Sequence, residues 1–248
     1  LALVPLFGVQ SSSDAAAGFG NHLLFLYFAG FVLALAMERC NLHRRIALQT
    51  IQLVGTSPRR LVLGFLLATA GLSMWVSNTA TTLVMLPIAI AVVKQLAPAA
   101  LVDGETSEEI SASVQKHFGS VLLLGLAFSA SVGGVGTVIG TGTTVAFLGF
   151  LEQRFPDQAP ISFLDWSLLG VPIVIVFLPI MWWYLCRYGS PLSLHRLRFS
   201  TGAQAIRDEL NKMGRMSQAE RTVLTVFILT ALGWVFRRPI ELGTFRIP

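Results

Sequence analysis

Charged side chains are scarce in this chain, and two long stretches have none at all. Residues 61–93 and 118–151 contain no Asp, Glu, Lys, Arg or His. Charged residues make up 12% of the chain and hydrophobic residues 54%, whereas soluble domains are about 25% charged. The composition excludes an ordinary soluble domain and indicates a membrane protein. A proton relay within either stretch is also excluded, because it needs ionisable groups.

Motifs of soluble enzymes and metal sites are missing as well. The two cysteines, Cys40 and Cys186, show no metal-ligand spacing, and no P-loop or nucleophile elbow is present. No acid, base or nucleophile pair falls at membrane depth, so we do not expect an enzyme. Lys and Arg (18) exceed Asp and Glu (13), but they lie beside apolar segments, where they set topology. We therefore expect no nucleic-acid partner.

The first apolar segment, 15–37, has 23 uncharged residues, which is enough for one membrane-spanning helix. Arg39, Arg44 and Arg45 follow it, and the positive-inside rule places them in the cytoplasm. Residues 41–57 mix polar and apolar positions and predict a short amphipathic helix at the interface.

The uncharged stretch 61–93 carries a polar cluster, Ser77–Thr82, in its middle. A continuous helix of 33 residues would be about 50 Å long, beyond a bilayer core of roughly 30 Å. Division at the cluster leaves arms of 16 and 11 residues, each too short to cross. The pattern predicts a re-entrant hairpin with a polar tip. The alternative is a helix whose hydroxyls bond back to their own backbone.

The second uncharged stretch, 118–151, predicts a broken helix. Residues 129–144 contain five glycines and six hydroxyl side chains, and each glycine costs about 1 kcal/mol relative to alanine in a helix. We expect helices over 118–128 and roughly 143–153, with unwound chain between them. The alternative is that the small residues mediate close helix packing.

The remaining segments alternate between polar connections and apolar helices. Residues 97–117 predict a cytoplasmic loop with a short helix, and Glu152 to Asp165 an outside loop. Residues 166–186 predict a span and 203–213 a surface helix, and 222–236 form a last apolar segment.

Two interrupted apolar segments in one chain are typical of a transporter binding site near the membrane midplane. Helix N-termini at the breaks attract anions, while unwound carbonyls offer oxygens to a hard cation. Ser73, Ser77, Asn78, Thr79 and the carbonyls around Gly140 form an oxygen-rich set that suits sodium. Since no side chain supplies charge, a bound cation would favour an anionic substrate.

Several motifs in the chain resemble one family. Ser73–Thr82 followed by Met85-Leu86-Pro87 is similar to the first Ser-Asn-Thr signature of the divalent anion:sodium symporters (DASS). Ala130–Thr137 and Gly140–Gly142 resemble the unwound fifth helix of that family. Ala34–Glu38 with Leu42–Ala47 also matches, so the resemblance covers nearly the whole chain.

The resemblance implies an all-α, polytopic, homodimeric transporter in the cell membrane, built from inverted repeats and working as an elevator. Its substrates would be dicarboxylates, citrate or sulfate, its coupling ion Na⁺, and it would need no organic cofactor. The implied sodium ligands are Ser73, Ser77, Asn78 and Gly140, and the implied substrate contacts are Asn78, Thr79, Thr141 and Gly142. Sodium is the only metal implied.

The implied organisation separates a scaffold from a moving transport domain. The expected parts are scaffold helices and an interfacial helix (1–60), a re-entrant hairpin (61–95), a cytoplasmic loop (96–117), a broken helix (118–153), and scaffold helices with a basic connection (165–248). The hairpin and the broken helix would form the transport domain.

Two departures from the family pattern stand in the sequence. Thr143 and Thr144 occupy positions where the family usually has proline and asparagine, and no second Ser-Asn-Thr signature is present. We therefore expect the chain to be an N-terminal piece of a longer transporter. A sodium-independent anion exchanger of the same fold and a non-transporting membrane scaffold are the alternatives.

Overall fold

A computed structural model describes residues 7–8, 11, 22–55, 57–102, 108–189, 197–199, 202–236, 241–242 and 245–246. Residues 15–21 of the expected first span and 103–107 of the expected loop lie outside the described residues. The helices in chain order are α1 His22–Arg39, α2 Leu42–Val54, α3 Pro58–Ser73, α4 Asn78–Leu96, α5 Glu108–Ser113, α6 Gly119–Gly134, α7 Gly142–Arg154, α8 Phe163–Tyr188, α9 Gly202–Met213 and α10 Gln218–Val235. A π-helical turn, Val114–Phe118, joins α5 to α6.

The strands are very short, and β1 adjoins the helical core through the buried Ala100. β1 Ala100–Val102 pairs antiparallel with β2 Leu197–Phe199, and β3 Glu241–Leu242 pairs with β4 Phe245–Arg246. The fold is that of an all-α membrane protein, as the sequence predicts. Among the described residues, three helices are long and apolar enough to cross a bilayer, and a bent pair provides up to one more.

The bent pair is formed by α1 and α2, which meet at an angle of 75°. The bend lies at Asn41, whose φ of 58° is left-handed, a conformation that asparagine tolerates better than most residues. One face of α2, including Leu42, Leu48 and Ile51, is fully buried, and α2 packs along α3. The amphipathic helix predicted over 41–57 is therefore present with a buried apolar face.

Helices α3 and α4 form a hairpin whose two outer ends lie on the same side. Gly125 of α6 lies beside Leu66, and Gly133 lies beside Ala70, so α6 runs parallel to α3. Gly119, at the start of α6, lies beside Val93, near the end of α4. The start of α3 and the end of α4 therefore share one side of the molecule.

The hairpin differs from the sequence prediction in the length of its second arm. Ser77 caps α4, so the polar residues from Asn78 to Thr82 form the first turns of a helix instead of a loop. The arm therefore has 19 residues rather than 11, about 28 Å, and is long enough to cross a bilayer core. The expectation that both arms are too short was wrong for α4.

The broken helix also differs from its prediction. Helix α6 extends to Gly134 instead of ending at 128, and the interruption covers only 135–141. A Cβ on Gly133 would lie 2.3 Å from the Ala70 carbonyl oxygen, so this glycine lets two helices touch. The alternative of close helix packing is therefore correct for residues 129–134, which are helical. The prediction of unwound chain is correct for residues 135–141. The last part of the expected loop, 108–117, is helical and continues into α6.

Helix α8 runs antiparallel to α6. Gly170 lies against the carbonyls of Val135 and Gly136, and Gly189 lies against Val121. The opposite face of α8 leaves large apolar side chains exposed, among them Leu168, Ile175 and Val176. Such a face suits contact with lipid.

A buried ion pair joins α2 to the start of α10. Arg45 donates to Glu220 over 2.7 Å, and the two side chains are 9% and 5% exposed. Arg45 also donates to the carbonyls of Met213 and Gly214. Hydrogen bonds from Arg45 lower the pKa of the Glu220 carboxyl from its ordinary value. The pair therefore fixes the joint between α9 and α10 against α2.

Replacing Glu220 with glutamine leaves the Arg45 charge buried without a counter-charge, and we expect a loss of about 3 kcal/mol of stability at pH 7. Because the folded-state pKa of Glu220 is depressed, its contribution is present above the unfolded pKa of about 4.3 and is lost as pH falls through the folded value. The thermal midpoints of the full-length wild type and of its Glu220→Gln variant should therefore differ widely at pH 7 and converge in acid. Arg221→Gln, an exposed neighbour, is the control, and equal midpoints at pH 7 would contradict the role of the pair.

Candidate functional site

The two interruptions predicted from the sequence lie in contact with each other. The first covers residues 74–77, between α3 and α4, and the second covers 135–141, between α6 and α7. The Thr137 hydroxyl of the second break donates a short hydrogen bond to the Met74 carbonyl of the first. A direct bond therefore joins two segments that are 63 residues apart in the chain.

Ser73 lies at the centre of this contact and is fully buried. Its Oγ lies 2.7 Å from Asn78 Oδ1 and 2.7 Å from the Ala130 carbonyl oxygen. A hydroxyl has one hydrogen, so it can donate to only one of these acceptors at a time. The arrangement gathers three oxygens, the Ser73 hydroxyl, the Asn78 amide oxygen and the Ala130 carbonyl, at one point.

Two glycines allow Asn78 and Ser73 to approach the second break. A Cβ on Gly134 would lie 2.2 Å from Asn78 Oδ1, and a Cβ on Gly140 would lie 2.9 Å from the Ser73 carbonyl oxygen and 2.4 Å from that of Gly134. No side chain larger than hydrogen fits at either position without a shift. The structure therefore brings Ser73, Asn78, Gly134 and Gly140 together.

The starts of α4 and α7 flank this cluster, and each has a hydroxyl cap. Ser77 Oγ accepts from the Ala80 amide at 3.4 Å, and Thr141 Oγ1 accepts from the Thr144 amide at 3.3 Å. The Thr141 methyl group also lies beside Gly134. Two helix N-termini, each with a partial positive charge, thus lie near two helix C-termini, each with a partial negative charge.

The other predicted residues lie at the edge of the cluster. Thr79 is exposed on the first turn of α4. Gly142 is exposed at the start of α7, where it faces the Tyr27 hydroxyl and a mainly apolar cavity of about 400 Å³ between α1 and α7. Ser77 serves as the cap of α4, whereas Ser73 bonds to Asn78 and Ala130.

Several hydroxyls of the polar segments bond within their own helix, as the alternative interpretation expected. Thr82 donates to the Asn78 carbonyl in α4, and Ser129 and Ser131 donate to carbonyls three and four residues earlier in α6. Thr81 instead donates to the Val76 carbonyl of the adjoining first break. Two hydroxyls bond across to the other interrupted segment: Ser73 donates to Ala130 in α6, and Thr137 donates to Met74 in the first break. The number of Ser and Thr residues in the two polar segments therefore overstates the number of side chains that form the site.

Sequence reasoning did not single out Gly134, Thr137 or Trp166. Gly134 lies in contact with the Asn78 side chain, and Thr137 forms the hydrogen bond between the two breaks. The Trp166 indole donates to the Val135 carbonyl over 2.9 Å. The clustered glycines signal close approach but do not identify a partner. The partners come from helices distant in the chain.

Comparisons with known proteins agree with the resemblance. A family model for citrate transporters matches residues 1–244. The sodium-dependent dicarboxylate transporters SdcS of Staphylococcus aureus strains NCTC 8325, bovine RF122 and COL are each 39% identical over 238 residues. The match covers 96% of this chain and 44% of each relative, so the chain spans less than half the length of these curated relatives.

The chain belongs to the divalent anion:sodium symporter family. Its family and relatives are transporters and not enzymes. With several helices long and apolar enough to cross a bilayer, it is a multi-pass protein of the cell membrane.

The close approach of α3 and α6 is testable with glycine substitutions. Gly133→Ala places a Cβ against the Ala70 backbone, which cannot rotate away, so we expect a loss of about 1–3 kcal/mol and a lower thermal midpoint. Gly71→Ala is the matched control, because its Cβ would meet nothing within 4 Å. That control should be neutral or stabilising, since alanine favours the helix. Equal midpoints for the two variants would show that Gly133 is not at a close contact.

Proposed function

We propose that the full-length protein is a secondary transporter that carries dicarboxylates or other divalent anions, of the succinate, citrate and sulfate class, together with sodium. The observation that carries the proposal is the contact between two helix breaks that contain no charged side chain. An anion at such a site needs backbone amides, hydroxyls and a cation. The dicarboxylate specificity named for the SdcS relatives supports the substrate class.

In this proposal, sodium binds among the oxygens around Ser73. The ligands are the hydroxyls of Ser73 and Ser77, the amide oxygen of Asn78 and a carbonyl at Gly140. The two oxygens that lie 2.7 Å from Ser73 Oγ support this role, because oxygen ligands are already gathered at this point. Sodium is a hard cation and therefore prefers oxygen ligands such as these. For the Ser77 hydroxyl to join this set, it must turn away from its cap on α4.

The substrate carboxylate lies, in this proposal, at the paired helix starts. Asn78 and Thr79 would contact it from α4, and Thr141 and Gly142 from α7. The exposed positions of Thr79 and Gly142 support this role, because a solute can reach them. The N-terminal dipoles of α4 and α7 add attraction, and sodium beside them supplies a full positive charge.

The proposal extends to movement and assembly. The hairpin α3–α4 and the broken helix α6–α7 would move together as an elevator past a scaffold that includes α1 and α8. Extensive packing of α3 and α4 on α6 supports their motion as one unit. A homodimer would leave one such unit in each protomer. The re-entrant path of the hairpin belongs to the same proposal.

Asn78→Ala in the full-length protein should lower sodium-dependent succinate uptake by about tenfold or more, because a polar contact to a charged group is lost. Uptake into proteoliposomes, with the amount of reconstituted protein measured, gives the result. Ser120→Ala is the matched control, since Ser120 is exposed and its hydroxyl bonds to Lys116 of its own helix. Wild-type uptake by the Asn78 variant would refute the site.

Sodium coupling has a separate test in the same vesicles. With choline in place of sodium, uptake by the wild-type protein should cease. Unchanged uptake would exclude symport and would favour a sodium-independent exchanger. No uptake of any divalent anion under either condition would favour a non-transporting scaffold.

A further inference from the structure

Three arginines at one end of the molecule form no ion pair with a carboxylate of the described residues. Arg59 and Arg60 begin α3, and Arg187 lies at the end of α8. Within the described part of the chain, none of the three forms an ion pair. The Arg59 Nε is buried and has no hydrogen-bond partner there. We refer to Arg59, Arg60 and Arg187 as the arginine patch.

The lack of partners is a local property of this patch. On the neighbouring helix α2, Arg44 and Arg45 both find carboxylates, Glu209 at 2.7 Å and Glu220 at 2.7 Å. Around the patch, the sequence supplies none, because residues 39–102 and 166–207 contain no Asp or Glu. Within the described residues, these two segments, which carry the patch, therefore supply no carboxylate to neutralise it.

Contacts between α3 and α8 hold the patch together. The Trp182 indole donates to the Arg59 carbonyl over 2.9 Å, which fixes the last turns of α8 against the first turn of α3. The Arg187 guanidinium lies 5.4 Å from the centre of the Tyr188 ring. The Arg59 side chain also lies near the Cys186 thiol, one residue before Arg187. The first turn of α3, with Arg59 and Arg60, therefore lies beside the last turns of α8, with Arg187.

Exposed aromatic side chains mark the depth of this region in the membrane. Trp183, Tyr184 and Tyr188 are 53%, 58% and 61% exposed, and they follow the exposed apolar residue Ile180 along α8. Trp and Tyr concentrate where the hydrocarbon core meets the headgroups. The arginines beside them therefore lie at headgroup level, on the side that the positive-inside rule assigns to the cytoplasm.

We propose that the arginine patch binds the phosphate headgroup of an anionic phospholipid. Guanidinium groups form paired hydrogen bonds to phosphate oxygens, and basic pockets between membrane helices on the cytoplasmic side suit such headgroups. The start of α3 adds to the attraction, because its first turn has no acidic residue and the Ser57 side chain does not cap it. The acyl chains would lie along the exposed apolar face of α8. This inference is independent of the proposed transport activity.

Native mass spectrometry of the full-length protein tests the proposal. The protein is reconstituted in nanodiscs of equal parts phosphatidylglycerol and phosphatidylcholine and then released, and the lipids that remain bound are counted. The wild type should retain phosphatidylglycerol in preference to phosphatidylcholine. Each arginine changed to glutamine should weaken that retention about fivefold, so that Arg59→Gln, Arg60→Gln and Arg187→Gln combined abolish the preference.

Matched variants separate a binding effect from a folding effect. Arg154→Gln removes an exposed arginine at the end of α7, away from the patch, and should retain the wild-type preference. Lysine at all three positions preserves the charge and should retain most of the binding. If the triple glutamine variant does not fold, Arg187→Gln alone, at an exposed position, should still show the fivefold loss.

Three results would overturn the proposal. They are unchanged phosphatidylglycerol retention in a folded glutamine variant, equal retention of phosphatidylcholine by the wild type, and displacement of the lipid by millimolar inorganic phosphate. The last result would identify a site for free phosphate instead of a lipid. Loss of transport with intact lipid preference would affect only the proposed function.

Discussion

Backbone polar groups released by a helix break within an apolar region need partners from the protein itself. In this chain part of that need is met by contacts between the two interrupted segments, and part by α8, whose Trp166 indole donates to the Val135 carbonyl. The Thr137 hydroxyl bonds to the Met74 carbonyl, and the Ser73 hydroxyl lies between Asn78 and the Ala130 carbonyl. An unsatisfied group at membrane depth costs several kcal/mol, so these cross-contacts are a condition for breaking the helices there. The packing of α3 against α6 follows from them.

The same arrangement explains how an uncharged site can attract ions. Helix ends have partial charges, and here two positive ends and two negative ends lie near one another. Neither interrupted segment contains a charged side chain, whereas the buried pair of Arg45 and Glu220 holds α2 to the α9–α10 joint. The centre formed by the two breaks therefore depends on dipoles and oxygens, and this ion pair stabilises the packing of other helices. The absence of charged side chains at the centre avoids the free-energy cost of an unpaired charge within the bilayer.

Much of this architecture follows from sequence pattern. The lack of charge in 61–93 and 118–151 predicts membrane helices, and their polar centres predict two interruptions, both of which the structure contains. The exact boundaries did not follow, because capping and packing decide them. Ser77 caps α4 and draws Asn78 into the helix, while Gly133 extends α6 by allowing contact with Ala70.

The candidate site was predictable only in part. The motif identified Ser73, Asn78 and Gly140, which do meet in space, but Gly134 and Thr137 required the tertiary structure. Their partners lie more than 50 residues away in the chain, and periodicity holds no information on such contacts. The arginine patch could not be predicted from the sequence either, because it forms only when the end of α8 lies beside the start of α3.

The central claim is that both breaks form one binding site, and thiol labelling can measure this directly. Thr79 and Thr143 are exposed, one at each break, and each is replaced by cysteine in full-length protein in which Cys40 and Cys186 are serine. Sodium with succinate should slow labelling at both positions with the same concentration dependence, while a cysteine at Ser120 should label at an unchanged rate. Protection at only one break, or at neither, would contradict the account.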